Sequence, residues 1–161
     1  MLIRKTKPED IDKISEIYKN AKSFMSDNGN PTQWNELYPN RDSAIADLED
    51  GVGYVCEEDG EILAVFMFKI GHDPTYEKIY GGAWLDDEPY AVIHRIAVAV
   101  QGRKIAGFCF DECFKIFPNL KIDTHKDNLP MQRALARAGF IRCGIIYIEN
   151  GEERIAYQKN K

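Results

Sequence analysis

Residues 89–117 read PYAVIHRIAVAVQGRKIAGFCFDECFKIF. The first part, 90–100, is rich in β-branched residues and mostly apolar, which predicts a buried strand. In 104–117 the apolar residues Ile105, Phe108, Cys109, Cys113, Ile116 and Phe117 recur at helical spacing, and Pro118 ends the run. Between them lie Gln101, Gly102, Arg103, Lys104, Ile105, Ala106 and Gly107. A strand that passes through a glycine-containing turn into a helix leaves backbone N–H groups free at the helix N-terminus. Those donors and the positive end of the helix dipole favour an anion, by nature a phosphate or pyrophosphate. Arg103 and Lys104 add positive charge beside it. The turn alone is a weak signal, because many such units only pack a helix on a sheet.

On the N-terminal side, 2–5 reads as a short strand, and Thr6 and Glu9 with Pro8 suggest a capping box. Ile11, Ile14, Tyr18, Ala21 and Met25 mark one face of a helix. Residues 26–40 are rich in Asn, Pro and Gly and read as a loop holding at most a helical turn. A short helix over 42–50 ends at Gly51. Strands at 52–57 and 61–70 flank Glu58-Asp59-Gly60, a hairpin signal. The unbroken apolar run 62–68 predicts burial on both faces. A long connection, 71–89, follows. On the C-terminal side come a strand at 120–124, a helix at 129–138 closed by Gly139, and strands at 140–149 and 152–159 around Asn150-Gly151. The order β-α-α-β-β-β-α-β-α-β-β joins an antiparallel meander to two βα crossovers. It predicts an α/β (α+β) architecture with one mixed sheet flanked by helices, in a single domain over 1–161.

The central segment resembles the acetyl-CoA-binding motif of the GNAT family of N-acetyltransferases, where a strand ending like Ile-Ala-Val enters Gln/Arg-x-x-Gly-x-Gly/Ala. Lys104 stands where that family usually has Gly, and Gly107 follows. The places of a second motif, Asn-x-x-Ala followed by Tyr and then Gly-Phe, are occupied here by Asn128, Met131, Leu135, Gly139 and Phe140. The element order agrees with the acyl-CoA N-acyltransferase fold over the whole chain. The resemblance implies direct attack of an amine on acetyl-CoA. Ile96, Ala97 and Val98 would lie along the pantetheine, with one N–H polarising the acetyl carbonyl. The turn Gln101 to Gly107 would hold the pyrophosphate. Asn128 would bind the pantetheine or cap the following helix, or do both, with Met131 beside it.

Acetyl transfer to an amine needs a proton acceptor for the amine and a way for the thiolate to leave. The family's frequent base, a Glu on the central strand, aligns with Val92. His94 lies two residues on, hence on the same face. It is a candidate base or a hydrogen-bonded strand residue, and imidazole suits proton acceptance near neutral pH. The family's frequent Tyr acid aligns with Leu135, which leaves Tyr147 and His125 as substitutes, or a thiolate that departs unaided. Trp34, Glu36 and Tyr38 in the first loop and Trp84 with Asp86, Asp87 and Glu88 in the second are candidates to bind a cationic acceptor.

The chain has 161 residues, 44% hydrophobic and 29% charged, with a net charge of −5. That is ordinary globular usage, with no basic excess that would suggest nucleic acid. The start, MLIRKTKPED, lacks the apolar region of a signal peptide, and no apolar run reaches membrane-spanning length. The expectation is a cytoplasmic monomer or homodimer with no membrane partner. Cys56, Cys109, Cys113 and Cys143 form no C-x-x-C pair and read as reduced core residues, and the three histidines lack metal-ligand spacing. Two functions fit: an acetyl-CoA-dependent N-acetyltransferase acting on a primary amine of a small molecule or peptide, or a non-catalytic acyl-CoA-binding sensor on the same fold.

Overall fold

The computed structural model describes residues 1–161. Seven strands form one sheet in the order β1-β2-β3-β4-β5-β7-β6. They are β1 (Leu2–Lys5), β2 (Gly53–Glu58), β3 (Glu61–Ile70), β4 (Ala91–Val98), β5 (Asn119–Thr124), β6 (Ile141–Tyr147) and β7 (Glu153–Asn160). All neighbours are antiparallel except β4 and β5. The helices are α1 (Ile11–Asp27), α2 (Arg41–Glu49), α3 (Ile105–Ile116) and α4 (Leu129–Arg137).

Helices α3 and α4 cover one face of the sheet. The core there gathers Phe66, Ile93, Ile105, Cys109, Phe110, Leu135 and Phe140. Phe110 is fully buried and meets Phe140 edge-on, with ring centroids 5.3 Å apart. Burying such a side chain contributes about 1.5–3 kcal/mol. Helices α1 and α2 cover the other face through Ile14, Ile17, Tyr18 and Ala44. Further along that face, the connection 71–90 lays Tyr76 over Val92, Ile146 and Ala156. The apolar run of β3 feeds the two helix-covered cores, which accounts for its lack of alternation. All four cysteines are free and buried.

The hairpin turn between β2 and β3 has positive φ at both Asp59 (52°) and Gly60 (80°), the geometry that a two-residue connection requires. The entry to α1 differs from expectation. Thr6 and Glu9 form no capping box. Asp10 does the work instead, accepting from the Lys7 N–H at 2.8 Å and from Arg4 at 2.7 Å. The Thr6 hydroxyl is buried without a partner. The short turn at 8–10 starts one residue later than expected, with Lys7 as its cap, so Asp10 rather than Glu9 reaches back to the free N–H. No helix is long and apolar enough to cross a membrane.

Candidate active site

Strands β4 and β5 pair only at Ala91–Leu120 and Val92–Lys121. Beyond these two positions they part, and the sheet forks. On its other edge β4 carries a bulge against β3, where the register shifts between Val65 and Met67 and Arg95 adopts φ 53°. The bulge sends neighbouring side chains to different partners. Ile96 enters the α3-side core, while the Arg95 guanidinium reaches Asp47 at 2.5 Å and the Tyr38 hydroxyl at 2.8 Å.

One cavity, of about 1010 Å³, opens at the C-terminal end of β4 between α3 and α4. Its lining includes Ile96, Ala97 and Val98, every residue from Gln101 through Gly107, and Asn128 and Met131. The turn gathers free backbone donors, the geometry that favours an anion. Gly102 (φ 84°) and Lys104 (φ 55°) both have positive φ, and such alternation gathers successive N–H groups into a concave cluster. Lys104 takes the N-cap position of α3 without capping by its side chain. The first backbone donor bonded to the cap is Phe108 N–H, to the Lys104 carbonyl at 3.1 Å. The N–H groups of Ile105, Ala106 and Gly107 therefore have no carbonyl one turn back. A Cβ added at Gly102 or Gly107 would meet nothing within 4 Å, so both face open space. The glycine that the family pattern expects at 104 marks a left-handed position, which lysine occupies here.

Charge agrees with this geometry. Arg103, Lys104, Arg133 and Arg137 line the cavity against one carboxylate, Asp111. Arg103 is paired with Glu58. Arg133 and Arg137 come from α4 and were not singled out in the sequence. Their i, i+4 spacing was the available signal, but it equally describes an ordinary solvated helix face.

A second cavity, of about 600 Å³, lies on the α1/α2 face and shares Met25, Ile96, Asn128 and Met131 with the first. His94 lines it together with Trp34, Tyr38, Arg95, Asp73 and Asp123. The His94 Nε2 lies 2.7 Å from Asp73 Oδ2. An ionised carboxylate only accepts, so Nε2 carries the hydrogen and Nδ1 keeps its lone pair in the neutral ring. Nδ1 stands 3.8 Å from Asp123 Oδ1. Asp73 is itself fixed by the Thr75 backbone N–H at 2.9 Å and hydroxyl at 2.7 Å. Burial pushes the Asp73 carboxyl up, but hydrogen bonds from His94 and Thr75 outweigh it and hold the group at about 2. Asp123 Oδ1 accepts from the Tyr76 hydroxyl at 2.6 Å. Burial, and then Asp123, push the Tyr76 phenol well up.

Other sequence candidates fall elsewhere. Tyr147 lies outside both cavities, against Tyr80 at 5.3 Å between ring centroids. His125 lines neither cavity. Its Nδ1 accepts from the Asp127 N–H at 3.0 Å, and burial, with Arg154 nearby, pushes the imidazole down. Trp84 donates from Nε1 to the Tyr76 carbonyl at 2.9 Å and carries Lys121 over its ring. Glu36 lines neither cavity, and its carbonyl accepts from Lys22. Asp86 is a structural hub for Asn119, Gln158 and Asn160. Asn128 caps α4 through its side-chain oxygen, which accepts from the Met131 N–H at 3.2 Å, and it also lines both cavities. Asp73 and Asp123 were missed: the first reads as the turn residue it also is, and the second as an ordinary strand-end acid.

Comparison with known proteins agrees with this geometry. Residues 12–140 match the acetyltransferase (GNAT) family. No curated protein matches. An acetyltransferase of the GNAT family from Streptococcus agalactiae 2603 is 34% identical over 99% of this chain and 95% of its own, with a TM-score of 0.91. At 19% identity, a GNAT acetyltransferase from Listeria monocytogenes 4b F2365 shares the fold with a TM-score of 0.72, over 99% of this chain and 94% of its own. A putative acetyltransferase from Salmonella typhimurium, solved with its cofactor acetyl-CoA, shares it at 17% identity and a TM-score of 0.64, over 99% of this chain and 92% of its own. With a family match across most of its length, two joined cavities at a forked sheet and a turn with free N–H groups at the head of α3, this chain belongs to the acetyltransferase (GNAT) family.

Proposed function

We propose that this protein transfers the acetyl group of acetyl-CoA to a primary amine, and that His94 is the group that receives the amine proton. The observation carrying this reading is the junction of the two cavities at Ile96, Asn128 and Met131, with His94 on the acceptor side of it. Acetyl-CoA fits the first cavity by the free N–H groups of the turn, the open space at Gly102 and Gly107, and the excess of cationic side chains. The thioester is the electrophile that the co-substrate supplies.

In this reading β4 backbone beyond Val92, which has no strand partner on the β5 side, lies along the pantetheine and offers an N–H to the acetyl carbonyl. Asn128 spends its oxygen on the α4 cap and one amide hydrogen on Gln33, leaving a second amide hydrogen for the pantetheine. Trp34 and Tyr38 form an aromatic wall for the acceptor. An aliphatic amine with a pKa of about 10.4 is mostly charged at neutral pH, so a base is needed, and His94 Nδ1 is suited to that role. Tyr147 lines neither cavity, and this reading assigns it no part as the acid. A thiol with a pKa of about 8.5 is a tolerable leaving group on its own.

The test is release of free CoA from acetyl-CoA, measured against a panel of aliphatic, aromatic and peptide amines. Turnover with any amine supports the reading. Tight CoA binding without turnover across the panel would make the protein an acyl-CoA-binding module.

A further inference from the structure

At the bulge, Arg95 and Ile96 of β4 stand opposite the single residue Phe66 of β3. The extra residue resets the alternation of side chains. Ile93 and Ala97, four apart, lie in cores on opposite faces of the sheet. His94 and Arg95, in succession, both line the second cavity. Arg95 then runs to α2 and to the loop before it. Its Nη2 donates to Asp47 Oδ1 at 2.5 Å and its Nη1 to the Tyr38 hydroxyl at 2.8 Å, with the guanidinium carbon 5.8 Å from the Tyr38 ring centroid.

The two partners depend on Arg95. Asp47 is buried, and its carboxylate pairs with no other side chain. Tyr38 is half-exposed, and its hydroxyl bonds to no other group in the protein. The loop backbone closes on itself, with the Asn35 N–H on the Tyr38 carbonyl at 3.1 Å and the Tyr38 N–H on Asn35 Oδ1 at 2.9 Å. That turn fixes the Tyr38 backbone, and Arg95 holds the polar end of its ring. Stability alone does not favour the arrangement. Arg95 sits in left-handed backbone at φ 53°, which disfavours any residue with a Cβ. Its Nε is buried without a partner, as is the hydroxyl of Tyr18 beside it. Strain of this kind next to a candidate site points to a role in that site.

We infer that Arg95 is a positioning residue for the acceptor: it pins the Tyr38 ring, as a wall of the second cavity, to the same bulge that presents His94, and Asp47 holds the guanidinium in place. This inference rests on the acetyl-transfer reading above. Wall and base hang from consecutive residues of β4, so an acceptor seated against Tyr38 is held in a set position relative to His94 and to the junction at Ile96. Asp47, Arg95 and Tyr38 do not line the first cavity, so the effect falls on the amine and not on acetyl-CoA.

The experiment is a double-mutant cycle on kcat/KM for the best amine of the panel, with Tyr38→Phe, Arg95→Gly and the two combined. Glycine accepts the positive φ, so the bulge keeps its backbone while the side chain is lost. Removing the Tyr38 hydroxyl should cost about five- to tenfold in wild type and less than about twofold in Arg95→Gly, with acetyl-CoA affinity by calorimetry within about twofold throughout. An equal cost in both backgrounds, or none in either, overturns the inference and leaves acetyl transfer standing. Arg95→Asn, which also tolerates left-handed backbone, replaces the glycine variant if that variant does not fold. Should wild type turn over no amine, acetyl transfer fails, and the clamp is judged by fluorine NMR of the free protein labelled with 3-fluorotyrosine. The Tyr38 line is assigned by its absence in Tyr38→Phe. A line that moves toward the position of free fluorotyrosine when Arg95 is replaced supports the clamp. An unmoved line in a folded variant overturns it.

Discussion

Gln33 Oε1 accepts the Asn128 amide at 3.0 Å and the Asn30 amide at 2.8 Å, tying the loop after α1 to the N-terminus of α4. Asn128 is thereby fixed at both ends: its oxygen caps the helix and its nitrogen is held by Gln33. Two substitutions separate its roles. Asn128→Ala is expected to lower stability by about 1 kcal/mol and to raise the KM for acetyl-CoA. Asn128→Asp keeps a capping oxygen but loses the amide donor. It should keep most of the cap contribution while still raising that KM. Denaturant titration and steady-state kinetics together decide this, and an unchanged KM in both variants would leave the cap as the residue's sole role.

The turn before α3 is tested by charge reversal. Gly102→Asp puts a carboxylate into the open space beside the free N–H groups. Acetyl-CoA affinity should fall by more than tenfold, about 1.4 kcal/mol, by calorimetry. Unchanged affinity in a folded variant would move the phosphate site elsewhere.

Lys104 gives an opposed pair of effects. Its φ of 55° costs a non-glycine residue about 1 kcal/mol. Lys104→Gly should raise the melting temperature, and it should weaken CoA binding severalfold by removing a cation from the phosphate end. A variant that loses both stability and affinity would show that the lysine side chain supports the turn itself.

His94→Ala should lower turnover by about 10² to 10⁴ with acetyl-CoA affinity nearly intact. His94→Gln, polar but not basic, should be as slow. Near-normal rates in the Gln variant would make His94 a hydrogen-bonding strut.

Asp73 makes acid stability informative. Its carboxyl is held at about 2 in the folded protein, below the ordinary 3.8. A depressed folded value stabilises the protein above the unfolded value, and that contribution fades as the pH falls toward the folded one. The stability difference between wild type and Asp73→Asn should therefore be about 2 kcal/mol at neutral pH and shrink between about pH 4 and pH 2. Urea titrations across that range measure it. A difference independent of pH would mean that the hydrogen bonds of Asp73, rather than its charge, carry its contribution.

The strand–turn–helix at 89–117 was legible because each part has a local cause: β-branched residues, turn glycines, and apolar spacing closed by proline. The proposed cofactor side could be read from the same stretch, since Gln101 to Gly107 are contiguous and all line one cavity. The proposed acceptor side was not legible in the same way. His94 could be placed on a face by strand alternation, but its partners come from a connection that folds back over β4 and from a strand beyond the fork. Asp73, followed by Pro74, has every mark of a turn, and its Asx turn with Thr75 is what aims the second oxygen at His94. Tyr147 illustrates the converse. It is near the motif in sequence, yet it sits on the edge strand β6, paired with Tyr80 rather than turned into either cavity.

The brief parallel ladder between β4 and β5 also has a mechanical consequence. Two halves of the sheet, β1–β4 and β5–β7–β6, are joined through backbone only at Ala91–Leu120 and Val92–Lys121. The connection 71–90 leaves the first half and is stitched to the far rim of the second, by a bridge between Tyr80 and Ile145 and a bond from Ala83 N–H to the Cys143 carbonyl at 3.0 Å. The molecule is thus a hinge with a strap, tight at one end of the seam and loose at the other. Amide exchange should record this directly. N–H groups of β4 past the hinge that point across the seam should exchange fastest among the interior amides, and they should slow most when acetyl-CoA lies along them.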